Sequence, residues 1–91
     1  MSGHSREVLI VNKRGLHARA SAKFVGAAAE MAGTKIVVAK DGHEAGGTSI
    51  LGLMMLGAAK GDTVTVHAEG EQAEARLAEL VALVESGFGE D

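Results

Sequence analysis

His17 is the side chain with the clearest capacity for chemistry, because of where the sequence puts it. The segment Gly15-Leu16-His17-Ala18-Arg19-Ala20 joins a short apolar, β-branched run to an alanine-rich stretch, so His17 falls at the start of a helix. Free backbone N–H groups there attract anions and disfavour an imidazolium. A neutral ring keeps a nitrogen lone pair that can attack phosphorus. A phosphoryl group on that ring would meet the amides of Ala18 and Arg19, and the Arg19 guanidinium could pair with its oxygens. The plainer alternative is a histidine that only caps the helix.

Ser49 begins a second helical segment and suits an N-cap. A phosphate on it would sit close to the positive end of that helix. Ile50, Leu51, Leu53, Met54, Met55 and Leu56 follow almost without interruption. A short helix with so many apolar residues cannot bury all of them in a small core, so some are expected on the surface as a docking patch.

Other chemistries fail on spacing. Gly42-x-x-x-x-Gly47-Thr48-Ser49 follows a nucleotide-binding loop except that Thr48 replaces its lysine, which removes the charge that engages the phosphates. His4, His17, His43 and His67 show no i, i+4 pairing for a metal, and no metal or cofactor is expected. A Ser–His–Asp set has no nucleophile elbow to hold it.

The elements that must position His17 have little material to work with. Ninety-one residues, 46% hydrophobic and 23% charged, make one small globular domain, taken as residues 1–91 with 1–5, and His4 among them, disordered. The absence of Cys excludes a disulfide scaffold and a thiolate metal site. The N-terminal residues carry no apolar stretch of the signal-peptide kind, and no run approaches the roughly 18 residues of a membrane span. A soluble, cytoplasmic protein with no membrane insertion is expected. Residues 1–40 hold seven bases and two acids, a net +5, while residues 41–91 hold two bases and ten acids, a net −8. Four of the nine bases lie between Lys13 and Lys23, which favours an anion or acidic partner there. Nucleic acid is not expected, since there is no basic tract and no Tyr or Trp to stack a base.

Glu7–Val11 reads as the first strand, ended by the turn residues Asn12-Lys13-Arg14-Gly15. Residues 18–32 favour a helix, whose alanine spacing predicts a stripe of Ala18, Ala22, Val25, Ala29 and Ala32 against a sheet, with Gly33 as the stop. Thr34–Lys40 is a second strand, and Asp41-Gly42 predicts a hairpin to a third at His43–Gly46. After the Ser49 helix, Val64, Val66 and Ala68 alternate inward along a strand at residues 63–68. Glu71–Ser86 forms a helix with the stripe Ala73, Leu77, Leu80, Val81 and Val84. The order β-α-β-β-α-β-α, with helices on one face, predicts an α+β open-faced sandwich.

Gly15–Arg19 (G-L-H-A-R) with Ala22–Val25 (A-K-F-V), and the block Thr48–Asp62 (T-S-I-L-G-L-M-M-L-G-A-A-K-G-D), resemble the two motifs of HPr. That family comprises the histidine-containing phosphocarriers of the bacterial phosphoenolpyruvate-dependent phosphotransferase system. The resemblance runs from about Glu7 to Gly89. It implies a four-stranded antiparallel sheet of order 1-4-2-3 and phosphorylation of His17 on Nδ1, with assistance from Arg19. It further implies a monomeric carrier, not an enzyme, that receives the phosphoryl group from enzyme I and delivers it to a IIA component. The branch served would be sugar uptake or regulation. Ser49 corresponds to the family's regulatory serine, the target of HPr kinase/phosphorylase. Ala22, Thr48, Ile50, Leu51 and Met54 fall on the partner surface.

The chain departs from the family at Ala20, where a proline is usual, at Gly26 and Ala29, where bases are common, and at Thr48, where a lysine is common. Electrostatic docking would then lean on Lys13, Arg14, Arg19 and Lys23. A purely regulatory binding module, acting through Ser49 and its patch, is a second reading, and the presence of His17 opposes it. A detached domain of a larger carrier is a third, and a unit bounded by Met1 and Asp91 is expected instead.

Overall fold

A computed structural model describes residues 3–90. Four strands, β1 (Gly3–Leu9), β2 (Thr34–Lys40), β3 (His43–Gly46) and β4 (Thr63–Gly70), form one antiparallel sheet in the order β1-β4-β2-β3. The helices α1 (Ala18–Ala29), α2 (Ile50–Met55) and α3 (Ala73–Glu85) cover one face, and a single 3-10 turn follows at Gly87–Gly89. This is the open-faced sandwich that the element order and the resemblance imply.

The register explains the core. Val8 faces Val64, Val38 faces both Val66 and Ala45, and Ile36 faces Ala68. All seven are buried, so the period-two alternation of each strand meets its neighbour in phase. The α3 stripe Ala73, Leu77, Leu80, Val81 and Val84 lies on this layer, every member buried. Its two leucines and two valines each contribute roughly 1.5–3 kcal/mol of burial. The β2–β3 hairpin turns at Asp41 and Gly42, both with positive φ (50° and 83°), the backbone that a tight two-residue turn needs.

Two expectations are corrected. The first strand begins at Gly3 rather than Glu7, because Gly3–Leu9 pair with Thr63–Glu69 along β4. His4 is therefore in a strand and residues 3–5 are ordered; Met1 and Ser2 lie outside the described residues. Past Leu9, the Ile10 N–H still donates to the Asp62 carbonyl, and the Ile10 carbonyl accepts from the Gly61 N–H.

The α1 stripe is also different. Ala18, Ala22, Ala29 and Ala32 are exposed, and the buried face is Ala20, Ser21, Phe24 and Ala28. Alanine spacing says little about direction when one large ring is present. Burying Phe24 yields more than burying any of the alanines, and it rotates the helix accordingly. The helix stops at Ala29, and Met31 tucks into the core just beyond it.

Candidate functional site

The loop between β1 and α1 is assembled by backbone demand. Asn12 is buried, and its Nδ2 donates to the Gly15 carbonyl at 2.8 Å, while the Gly15 N–H donates back to the Asn12 carbonyl at 3.1 Å. The two bonds close the turn Asn12–Gly15. Gly15 has φ +63°, and a Cβ on it would sit 2.2 Å from the Ala58 carbonyl oxygen. Only glycine fits there. One residue on, the Leu16 N–H donates to that same oxygen at 2.9 Å, and the Leu16 side chain enters the core. The buried Ser21 hydroxyl then donates to the Leu16 carbonyl at 3.1 Å. Leu16 is pinned from both sides, and the next residue is His17.

His17 is the N-cap of α1, with extended backbone (φ −75°, ψ −177°). Its ring is partly buried and its two nitrogens meet opposite partners. The Arg19 N–H donates to Nδ1 at 3.3 Å. Nε2 lies 3.0 and 3.2 Å from the two carboxylate oxygens of Glu90. A ring nitrogen facing a donor must offer a lone pair, and one facing a carboxylate must carry hydrogen. Proton on Nε2 and lone pair on Nδ1 is the only arrangement that satisfies both. A ring protonated at both nitrogens would set Nδ1–H against the Arg19 N–H.

Glu90 was absent from the sequence-based candidates, as were Asn12 and Ser21. It is carried back to His17 by the 3-10 turn. Phe88 is buried at left-handed φ 59° between two positive-φ glycines, Gly87 and Gly89, and Lys23 Nζ donates to the Phe88 carbonyl at 2.7 Å. Asn12 Nδ2 reaches Glu90 Oε1 at 3.2 Å, tying the tail to the same turn that sets Gly15. Burial pushes the Glu90 carboxyl up. Hydrogen bonds from Asn12 and His17, aided by the nearby His17 ring and the Lys23 ammonium, outweigh this and hold it below the ordinary carboxylate range. The sequence carried one faint signal, Gly-Phe-Gly in an otherwise polar tail, the mark of an aromatic anchor on a sharply turning chain.

The other candidate residues take these places. Arg19 is exposed at the start of α1, and its guanidinium makes no ion pair among the described residues. Lys23 is engaged by the C-terminal turn, so of the four bases expected to serve docking it is committed within the chain. Ala22 and Thr48 are exposed. Ser49 is the N-cap of α2, its Oγ accepting the Gly52 N–H at 2.9 Å. In α2 only Leu53 is buried, whereas Ile50, Leu51, Met54 and Met55 are 42%, 68%, 40% and 77% exposed. The partition of that helix into one anchor and an outward apolar group is what its composition implied. Helices α1 and α2 are in contact, so the histidine and the apolar group belong to neighbouring elements. Among the described residues no group of three His, Asp or Glu could hold a metal, and no helix is long and apolar enough to cross a membrane.

The α+β sandwich presents a partly buried histidine at the start of α1, and the comparisons with known proteins give the class of protein to which it belongs. The family model PTS-HPr, described as the PTS HPr component phosphorylation site, matches residues 4–86, and the chain belongs to this family of phosphocarriers. It is 44% identical over 84 residues to a phosphocarrier protein HPr of Pseudomonas aeruginosa, covering 92% of this chain and 93% of that one. It is 39% identical over 90 residues to a phosphocarrier protein NPr of Shewanella violacea, covering 99% and 98%. A crystal structure of HPr-C-His from Thermoanaerobacter tengcongensis superposes with TM-score 0.90 at 41% identity, over 97% of this chain and 98% of that one.

Proposed function

We propose that the protein is a cytoplasmic, monomeric phosphocarrier that accepts a phosphoryl group on His17 Nδ1 from phospho-enzyme I and passes it to a IIA component. The branch is either sugar uptake or a regulatory chain. The observation that carries this reading is the opposed pair of partners on the ring, which leaves the lone pair on Nδ1 at the start of α1. The resting contact of Nδ1 is long, at 3.3 Å, so incoming phosphorus displaces a weak acceptor bond. The freed Arg19 N–H then turns to a phosphoryl oxygen, and the Arg19 guanidinium, which makes no ion pair among the described residues, is available to join it. Ala18 supplies a second amide at the helix end.

The exposed Ile50, Leu51 and Met54, with Ala22 and Thr48, form the surface by which two larger partners are received in turn. Phosphorylation of Ser49 by an HPr kinase/phosphorylase would place a dianion beside that surface and weaken docking. Incubation with purified enzyme I and labelled phosphoenolpyruvate tests the main reading. One acid-labile phosphate per chain is expected, absent in His17→Ala, and label persisting in that variant contradicts it. With ATP and the kinase, an acid-stable phosphate lost in Ser49→Ala is expected, and its absence leaves Ser49 as a cap alone.

A further inference from the structure

The C-terminal turn has a role that the carrier reading does not use. Four contacts bring it to His17: Phe88 buried in the core, Lys23 Nζ on the Phe88 carbonyl at 2.7 Å, Asn12 Nδ2 on Glu90 Oε1 at 3.2 Å, and the Glu90 carboxylate on His17 Nε2 at 3.0 Å. Left-handed backbone at Phe88 is uncommon for an aromatic residue. Its presence here turns the chain so that the phenyl ring points in and the next carboxylate points back. Among the described residues, Lys23, from α1, and Asn12, from the β1–α1 loop, are the groups that face this carboxylate besides His17 itself.

We propose that Glu90 is a positioning residue for the phosphoryl transfer, holding the proton on His17 Nε2 through both halves of the reaction. This rests on the phosphocarrier reading of His17 given above. In the first half the Nδ1 lone pair forms the new N–P bond, as the N–P bond of a donor phosphohistidine breaks and returns its electron pair to the donor nitrogen. No proton leaves Nδ1, because none is there. Nε2 keeps its hydrogen, so the ring becomes a phosphorylated imidazolium, and its new positive charge meets the Glu90 carboxylate at hydrogen-bond distance. In the second half the Nδ1–P bond breaks toward an acceptor nucleophile, its electrons return to Nδ1, and the ring is again neutral with hydrogen on Nε2. A carboxylate at Nε2 therefore does two things. It selects the nucleophilic nitrogen before transfer, and it keeps the ring a good leaving group after it.

The substitution Glu90→Gln separates these from mere tethering. Asn12 Nδ2 already donates to Oε1, so the amide oxygen would stay with Asn12 and the NH2 would turn to Nε2. That arrangement demands a lone pair on Nε2 and moves hydrogen to Nδ1. Nitrogen-15 spectra of the full chain, labelled at histidine, read the tautomer of the His17 ring without any transfer reaction. Predominantly Nε2–H is expected in the original protein, a clear shift of population toward Nδ1–H in Glu90→Gln, and partial return in Glu90→Asp. With enzyme I and phosphoenolpyruvate, the rate of phosphorylation of Glu90→Gln is expected to fall about tenfold, the worth of a charge-assisted hydrogen bond, with partial rescue in Glu90→Asp. A tautomer population and a rate unchanged in Glu90→Gln would overturn the proposal. If instead the tautomer shifts but even the original protein takes no phosphate from enzyme I, the carrier reading fails while the positioning of the ring by Glu90 stands.

Discussion

Gly15→Ala probes the link between the backbone and the reactive ring. The position has φ +63°, and a Cβ there would lie 2.2 Å from the Ala58 carbonyl oxygen and 2.8 Å from the Ala59 Cα. Left-handed backbone costs an L-residue roughly 1–2 kcal/mol. The overlap with a carbonyl oxygen is far inside van der Waals contact and cannot be relieved by a side chain, because both neighbours are backbone. The segment around Ala58 must retreat, and the Leu16 N–H then loses its acceptor at 2.9 Å, for roughly 1–3 kcal/mol as a buried donor left unpaired. Alanine returns about 0.4–1 kcal/mol by narrowing the unfolded ensemble.

The balance is a loss of about 1–5 kcal/mol, centred near about 3 kcal/mol. For a domain of this size a loss near about 3 kcal/mol lowers the melting temperature by roughly 12–24 °C. Urea unfolding of both proteins at neutral pH measures it directly. Because Leu16 carries His17 into place, phosphorylation by enzyme I should also slow at temperatures where the variant is still folded. A loss below about 1 kcal/mol with an unchanged denaturant slope would refute the claim that this contact sets the loop.

Phe88→Ala removes a buried ring from the C-terminal turn and should cost about 3–5 kcal/mol in denaturant melts, together with loss of the His17–Glu90 contact in nitrogen-15 spectra. Leu51→Ser, at a position 68% exposed, should change stability by no more than about 0.5 kcal/mol while raising the KM of enzyme I for the protein. The depressed Glu90 carboxyl fixes the sign of a pH effect. A carboxylate whose folded value lies below its unfolded one stabilises the fold above the ordinary glutamate range, and the contribution vanishes as pH falls through the depressed value. Glu90→Gln should therefore be the less stable protein at about pH 7 and should converge on the original once the pH has fallen below the depressed Glu90 value; a gap that widens with acid would contradict the assignment.

What could be read from the sequence divides along physical lines. Strands β2 and β4 and helix α3 were legible because their apolar residues repeat with one period and each buries its own stripe, as Val64, Val66 and Ala68 do, and β3 because Asp41-Gly42 marks the hairpin that precedes it. The site histidine was legible because Gly15 and Arg19 flank it within a single turn. The buried face of α1 was not, since small alanines on every side give no direction until Phe24 meets the sheet. The start of β1 was hidden for a similar reason. Gly3-His4-Ser5-Arg6 has no apolar alternation, and its strand exists because β4 offers an unpaired edge. Glu90 was least visible of all, because 73 residues of chain separate it from His17 and only the packing of Phe88 joins them.

The central claim concerns one atom, Nδ1 of His17. The protein labelled with nitrogen-15 histidine and phosphorylated by enzyme I and phosphoenolpyruvate should show phosphorus–nitrogen coupling at His17 Nδ1, with hydrogen retained on Nε2. Coupling at Nε2, or phosphate on any other side chain, would contradict the account.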